Sequence, residues 1–368
     1  MASHRAPFKA GREHLMSKDE EELDPRETAS HPRHRYELTG HQKAEHKLLE
    51  AYKSGRFHHA WMFCGPQGIG KATLAYRLAR FILNHPDYKD PQVINASNLA
   101  IGKSNVVAHR IAARAHSDLF VLQRQLNPKT KKLRPEISAD EARKLSQFYT
   151  KTAGEGGWRI CIIDAADDLN TTSANAILKI LEEPPQQCLF IIIAHAPGRL
   201  LPTIRSRCLR LDLAPLSNAD VAKVVSHDLL DPQLSDQEVK ALINLGNGSP
   251  GKVMQLVTSH GARQFVRFQQ MLAAPQGFTL SAQISIAEEF QKAGSEIEFN
   301  VFADLLSAWF GNNAIIAGQH AMHERANALA VCHNEFSDSI RTTNALNLSR
   351  RQTLMMAFEK IEKILAHE

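Results

Sequence analysis

The chain has 368 residues, 43% apolar and 23% charged, which is material for two or three globular domains and excludes a disordered or fibrous protein. Its 44 Lys and Arg against 39 Asp and Glu leave a net charge of +5, scattered along the chain, so contact with nucleic acid is allowed but not argued for by charge. The five cysteines (Cys64, Cys161, Cys188, Cys208 and Cys332) form no C-x-x-C pair, which speaks against a zinc ribbon or a disulfide framework and fits a reducing cytoplasm.

Residues 1–32 mix charges of both signs around SKDEEELDPRE and carry few apolar anchors, predicting a flexible tail. No apolar signal core follows MASHRAPFKAGREH, and the longest apolar runs, such as CLFIIIA, fall far short of a membrane span. Neither export nor membrane anchoring is expected.

Residues 33–212 alternate short apolar runs with helical stretches, the pattern of a parallel sheet covered by helices. The predicted strands are AWMFC (60–64), DLFVL (118–122), RICIID (159–164), CLFIIIA (188–194) and CLRLD (208–212). Their near-continuous hydrophobicity is what strands buried on both faces require. Cys64, Cys161 and Cys188 fall inside these runs and read as small buried hydrophobes. Helices are predicted over 71–83 and 171–181, the second stopped by EEPP because proline cannot continue a helix interior.

Residues 213–260 form a small helical unit. Ser235 and Glu238 make an S-x-x-E capping box for a helix ending at Gly246, and GSPGK (248–252) breaks the chain before the next. Residues 261–368 carry helical apolar spacing in FNVFADLLSAWF and again at Leu354, Phe358, Ile361 and Leu365.

Between the first strand and the first helix stands GPQGIGKAT, which matches a phosphate-binding loop, G-x-x-x-x-G-K-[ST], with Ala72 in place of the hydroxyl residue. In such loops glycine-rich backbone encloses phosphates, the lysine meets the β and γ phosphates and the hydroxyl holds Mg²⁺. Gly65, Gly68, Gly70, Lys71, Ala72 and Thr73 are the candidate nucleotide contacts, and Ala72 holds no metal. A nucleotide motor also needs a strand ending in a metal-supporting Asp, then an acid that polarises water. RICIIDAADDL supplies Asp164, but Ala165 and Ala166 follow, and Asp167 and Asp168 read as a solvated helix start. Two independent deletions thus predict a degenerate site in which hydrolysis is absent or nearly so, while Lys71 and the glycines leave open the binding of ATP or ADP without hydrolysis.

GPQGIGKAT, IIDAADDLNTTSANAILKILEEPP and above all TIRSRC (203–208) together resemble the delta-prime subunits of bacterial DNA polymerase III clamp loaders, over about residues 37–260. The resemblance implies an α/β AAA+ P-loop module, a parallel sheet with flanking helices, followed by a helical lid and a C-terminal all-α collar. It implies gamma/tau and delta subunits as ring partners, and the beta sliding clamp and primed DNA as targets of the assembly, within a DNA polymerase (nucleotidyltransferase) holoenzyme. The S-R-C motif of that family supplies an arginine finger to a neighbour's ATP, and Ser206, Arg207 and Cys208 match it, making Arg207 the catalytic candidate acting in trans.

The four-cysteine zinc module of many relatives is missing from residues 84–118, so no zinc or other metal is expected, and His85, His109 and His116 read as surface histidines. His195 follows a strand where the family's motors place a phosphate sensor, or is only a strand-end residue. Lys252 in GSPGK approaches a phosphate or is simply solvated. Two other readings stay open. One is an active ATPase using Thr73 and Asp167 as displaced substitutes, although a one-residue shift turns a side chain about 100° around a helix. The other is a nucleic-acid adaptor, whose binding would fall steeply with salt.

Overall fold

A computed structural model describes residues 31–366 apart from 128, 131–132, 151–152, 155–156, 226–235, 275–276 and 293. The predicted tail, up to residue 30, and Ser235 of the capping box lie outside the described residues.

Helix α1 (Gln42–Lys53) leads into β1 (Ala60–Cys64), and α2 (Lys71–Asn84), α3 (Pro91–Ile94) and α4 (Val106–Ala112) follow before β2 (Leu119–Gln123). Then come α5 (Ala139–Thr150), β3 (Arg159–Asp164), α6 (Thr171–Glu182), β4 (Cys188–Ala194), α7 (Pro202–Arg205) and β5 (Leu209–Asp212). The five strands form one sheet in the order β2-β3-β4-β1-β5, every neighbouring pair parallel.

Side chains alternate across a strand, so each apolar run serves two faces. Trp61, Phe63, Ile160, Ile162, Leu189, Ile191 and Ile193 face α1 and α2, meeting Leu74, Leu78 and Ile82 at helical spacing. Met62, Cys64, Cys161, Ile163, Phe190 and Ile192 face α5 and α6, where Leu145, Tyr149, Ile177 and Leu181 cover them. β1 and β4 are buried throughout, as their sequences require. β2 and β5 are not: each is an edge strand with a single buried residue, Leu122 or Leu211, which corrects the expectation that all five are covered on both faces.

The segment before α1 is tied down by two arginines of α2. Arg77 pairs with Glu45 at 2.5 Å and donates to Tyr36 O, and Arg80, 1% exposed, donates to Arg33 O and Arg35 O. The Glu45 carboxylate also accepts from Leu99 N–H at 2.9 Å, joining α1 to the chain after α3.

Beyond β5 the chain is helical: α8 (Asn218–Val224), α9 (Asp236–Gly246), α10 (Pro250–Thr258), α11 (His260–Ala273), α12 (Leu280–Glu289), α13 (Glu296–Gln319), α14 (His323–Leu346) and α15 (Arg350–Leu365). One apolar cluster runs through them from Leu216 to Ile361. Phe302 sits inside it, its ring centre 5.1 Å from that of Phe290, 5.9 Å from Phe265 and 6.3 Å from Phe268 and Phe358. α11 and α13 approach closely because residue 261 is glycine: a Cβ there would lie 2.1 Å from Glu298 O. The Glu298 carboxylate accepts from both Ser259 Oγ and Gly261 N–H at 2.6 Å, closing the start of α11 with an anion where the helix dipole favours one. No helix among the described residues is long and apolar enough to cross a membrane.

Candidate functional site

With all strands parallel, their carboxyl ends share one edge of the sheet, the place where open α/β sheets take ligands. The turn after β1, Asp164 at the end of β3 and His195 after β4 all lie at that edge. The structure therefore brings Gly65, Gly68, Gly70, Lys71, Ala72, Thr73 and Asp164 to one end of the fold.

The glycine-rich turn is held from two sides. Gly68 adopts φ +76°, and a Cβ on it would sit 2.4 Å from Ser249 Oγ, so both its conformation and its surroundings call for glycine. Ser249 Oγ donates to Gln67 O at 2.8 Å, and Gly251 N–H donates to Gly68 O at 3.0 Å, fastening the turn to the start of α10. From the other side, buried His41 donates through Nε2 to Ile69 O at 2.7 Å. Burial lowers the His41 pKa, and the positive charge of Lys71 adds to the shift.

Lys71 is buried, and its ammonium folds back onto its own loop, donating to Gly65 O at 2.6 Å and Pro66 O at 2.5 Å. Burial pushes its pKa down to about 8, against the pull of Asp164 and Asp167. Ala72 packs its methyl against the sheet core, and Thr73 is half-buried in the first turn of α2. Asp164 is half-buried as a residue, and burial of its carboxyl raises the pKa to about 6, with Lys71 opposing the rise.

Asp167 is not part of a solvated helix start. Its two carboxylate oxygens accept from His195 N–H at 2.6 Å and Ala196 N–H at 2.7 Å, so it ties the end of β3 to the end of β4. Asp168 pairs with Arg124 at 2.9 Å. The sequence held no local signal for either bond, because the partners of Asp167 lie 28 and 29 residues away. Among the three histidines read as surface residues, His109 is exposed and His85 half-buried, but His116 is buried, its Nδ1 accepting from Asp118 N–H at 3.2 Å. Lys252 is exposed; burial raises the pKa of Asp304 of α13, and the charge of Lys252 opposes that rise. No group of three or more His, Cys, Asp or Glu among the described residues is placed to hold a metal.

The His195 ring is half-buried, and its Nδ1 has no hydrogen-bond partner among the described residues. Burial, helped by Lys71, lowers its pKa from the ordinary 6.5 to about 4. Between those values the unfolded chain takes up a proton that the folded chain declines, so His195 makes stability fall as pH drops through that window. His195→Gln is expected to lose less stability than the parent chain from pH 6.5 to pH 4 in urea titrations, since the other titrating groups are common to both. Identical acid limbs in the two proteins would refute this coupling.

Arg207 is elsewhere. β5 pairs with β1 in a register that sets Leu209 beside Trp61 and Asp212 beside Cys64, so the residue two places before β5 lies at the amino-terminal edge of the sheet. At about 3.3 Å per residue, the strand alone separates that edge from the glycine turn by roughly 10 Å. There Arg207 keeps 34% of its side chain exposed, donates through Nη1 to Thr203 O at 2.9 Å and pairs through Nη2 with Glu182 at 2.8 Å. Ser206 Oγ donates to the same carbonyl at 3.1 Å. Burial pushes the Cys208 thiol up to about 12, so it stays protonated and contributes packing rather than a thiolate.

Residues 40–217 match the protein-family model described as DNA polymerase III, delta subunit. The DNA polymerase III subunit delta' of Pseudomonas aeruginosa is 35% identical over 216 residues, covering 58% of this chain and 58% of the relative. The subunit of the same name from Escherichia coli is 30% identical over 210 residues, covering 57% of this chain and 58% of the relative. The chain thus spans somewhat less than three-fifths of the length of these curated relatives. A DNA polymerase III gamma subunit-related protein of Thermotoga maritima is a distant likeness among solved structures, with TM-score 0.38 at 17% identity, covering 85% of this chain and 97% of the other.

Proposed function

We propose, from the match of residues 40–217 to the family model described as DNA polymerase III, delta subunit, and from the 35% identity to a subunit delta' over 216 residues, that this chain works as a delta-prime-type subunit of a clamp loader. In this reading it completes a ring with gamma/tau and delta subunits, is itself catalytically silent, and offers Arg207 to the ATP of a neighbour. The ring, through the beta sliding clamp and primed DNA, serves replication.

The observation that carries the reading is the placement of Arg207. It is half-exposed at the strand-start edge, while its own glycine turn is at the strand-end edge of the same sheet. A guanidinium so placed has no route to a phosphate on its own loop and is presented to whatever packs against that edge. Its permanent charge and planar donor fork suit a phosphoryl group that gains charge during transfer.

The glycine turn supports the silent half of the reading. Its residues do not fit a metal-bound nucleotide: Ala72 has no hydroxyl to hold the metal, and Lys71 donates to Gly65 O and Pro66 O of its own loop. Asp167, the nearest acid after Asp164, is held by two backbone N–H groups instead of facing water. We assign the turn a joining role between the sheet and the start of α10.

Lys71→Ala should therefore leave the ATP turnover of a reconstituted loader within about twofold of the parent, provided the subunits still assemble, because no phosphoryl transfer is routed through this loop. Loss of turnover in an intact assembly would contradict the silent site.

A further inference from the structure

Arg207 is not alone at its edge, and its partner comes from a segment read in the sequence only as a helix stop. α6 ends at Glu182 because Pro184 and Pro185 cannot continue it, which fixes Glu182 in the last turn. A carboxylate at a helix carboxyl end is disfavoured by the helix dipole, so α6 gains nothing of its own from an acid there. What the acid does meet is Arg207, with Glu182 Oε1 2.8 Å from Nη2.

From this geometry we infer that Glu182 is a positioning residue for Arg207. The inference rests on the trans-acting role proposed above. Arginine is a long side chain with large rotamer freedom, and its five N–H donors are in a planar fork. Here one terminal nitrogen is anchored to Thr203 O at 2.9 Å and the other to Glu182, from two different helices, while Ser206 Oγ at 3.5 Å adds little. Two anchors fix the plane of the guanidinium and leave its remaining donors for an arriving group. An arriving phosphate group then meets a charge already oriented, and less rotamer freedom is lost on contact. α7 is only four residues long, so it does not fix so long a side chain by itself; the carboxylate at the end of α6 supplies the second point.

The test is a set of four variants in the loader reconstituted with gamma/tau and delta subunits, clamp and primed DNA: Glu182→Ala, Glu182→Gln, Arg207→Ala, and the Glu182→Ala/Arg207→Ala pair. Readouts are the pre-steady-state kcat and the KM for ATP, together with assembly by gel filtration. Glu182→Ala is expected to lower kcat at the site facing this chain about fivefold, the worth of a half-exposed ion pair, with KM and assembly unchanged. Glu182→Gln should retain more than half of the parental rate, because its amide oxygen still accepts from Nη2. Glu182→Ala should cost nothing further once Arg207 is gone. An unchanged or raised kcat in Glu182→Ala, while Arg207→Ala falls, would overturn the positioning role and leave the trans-acting arginine standing. A parental rate in Arg207→Ala, with assembly intact, would instead remove the trans-acting arginine and the positioning role with it.

Discussion

Arg207→Ala is expected to fold and assemble like the parent chain while hydrolysis at the one ATP site it faces falls about 10³-fold, the lower range for loss of an arginine finger. Folding should be spared because the side chain is half-exposed and its pairing with Glu182 contributes at most about 1 kcal/mol at such a surface. Catalysis should not be spared, because stabilising charge on a phosphoryl group in a water-poor interface is worth far more than the same charge in solvent. Pre-steady-state hydrolysis in the reconstituted loader checks this better than steady-state turnover, since the proposed role concerns one ATP site of the assembly. A full-amplitude, full-rate burst from the variant assembly would show that Arg207 is an ordinary surface charge.

Phe302→Ala should cost about 3–5 kcal/mol in the helical region that follows the sheet. Phe302 is fully buried, and the rings of Phe265, Phe268, Phe290 and Phe358 surround it, drawn from α11, α15 and the residue that follows α12. Removing it deletes the shared partner of four rings, and rings held by one another in edge and tilted geometry have little freedom to close the gap. Urea unfolding followed by far-ultraviolet circular dichroism measures the loss. A cost below about 1 kcal/mol would mean that the helices are not packed around that ring.

Much of the architecture could be read from the chain. Strands β1, β3 and β4 begin and end where their apolar runs do, because burial on both faces leaves no polar position to blur the boundary. β2 and β5 start one residue later than their runs, and β2 ends one residue later, which fits edge strands whose outer faces are free to be polar. Leu354, Phe358 and Ile361 are buried as their spacing required.

The site was less legible, because its decisive contacts join residues far apart in sequence. GPQGIGKAT announced a phosphate loop, but nothing local to it shows that Ser249, 182 residues from Gln67, closes on the turn. His41 carried no motif, and only its position before α1 hints at a role, yet it holds Ile69 O. Asp167 looked solvated until the strand order brought β4 beside β3 and set two backbone N–H groups against it. Strand order also decides the place of Arg207: with β5 paired to β1, the S-R-C segment falls at the opposite edge from the glycine turn. Its partner Glu182 lies inside LEEPP, where the prolines account for the helix end and nothing local marks the acid before them as a partner of Arg207.

We propose that this chain hydrolyses no ATP and enables a neighbour to do so. The most direct test is ATP hydrolysis by the purified chain, first alone and then mixed with gamma/tau and delta subunits, clamp and primed DNA. No turnover is expected from the chain alone and, in the mixture, a rate that requires both this chain and Arg207. Turnover by the chain alone, abolished by Lys71→Ala, would contradict the proposal and make the glycine turn a working motor site despite Ala72 and Ala165.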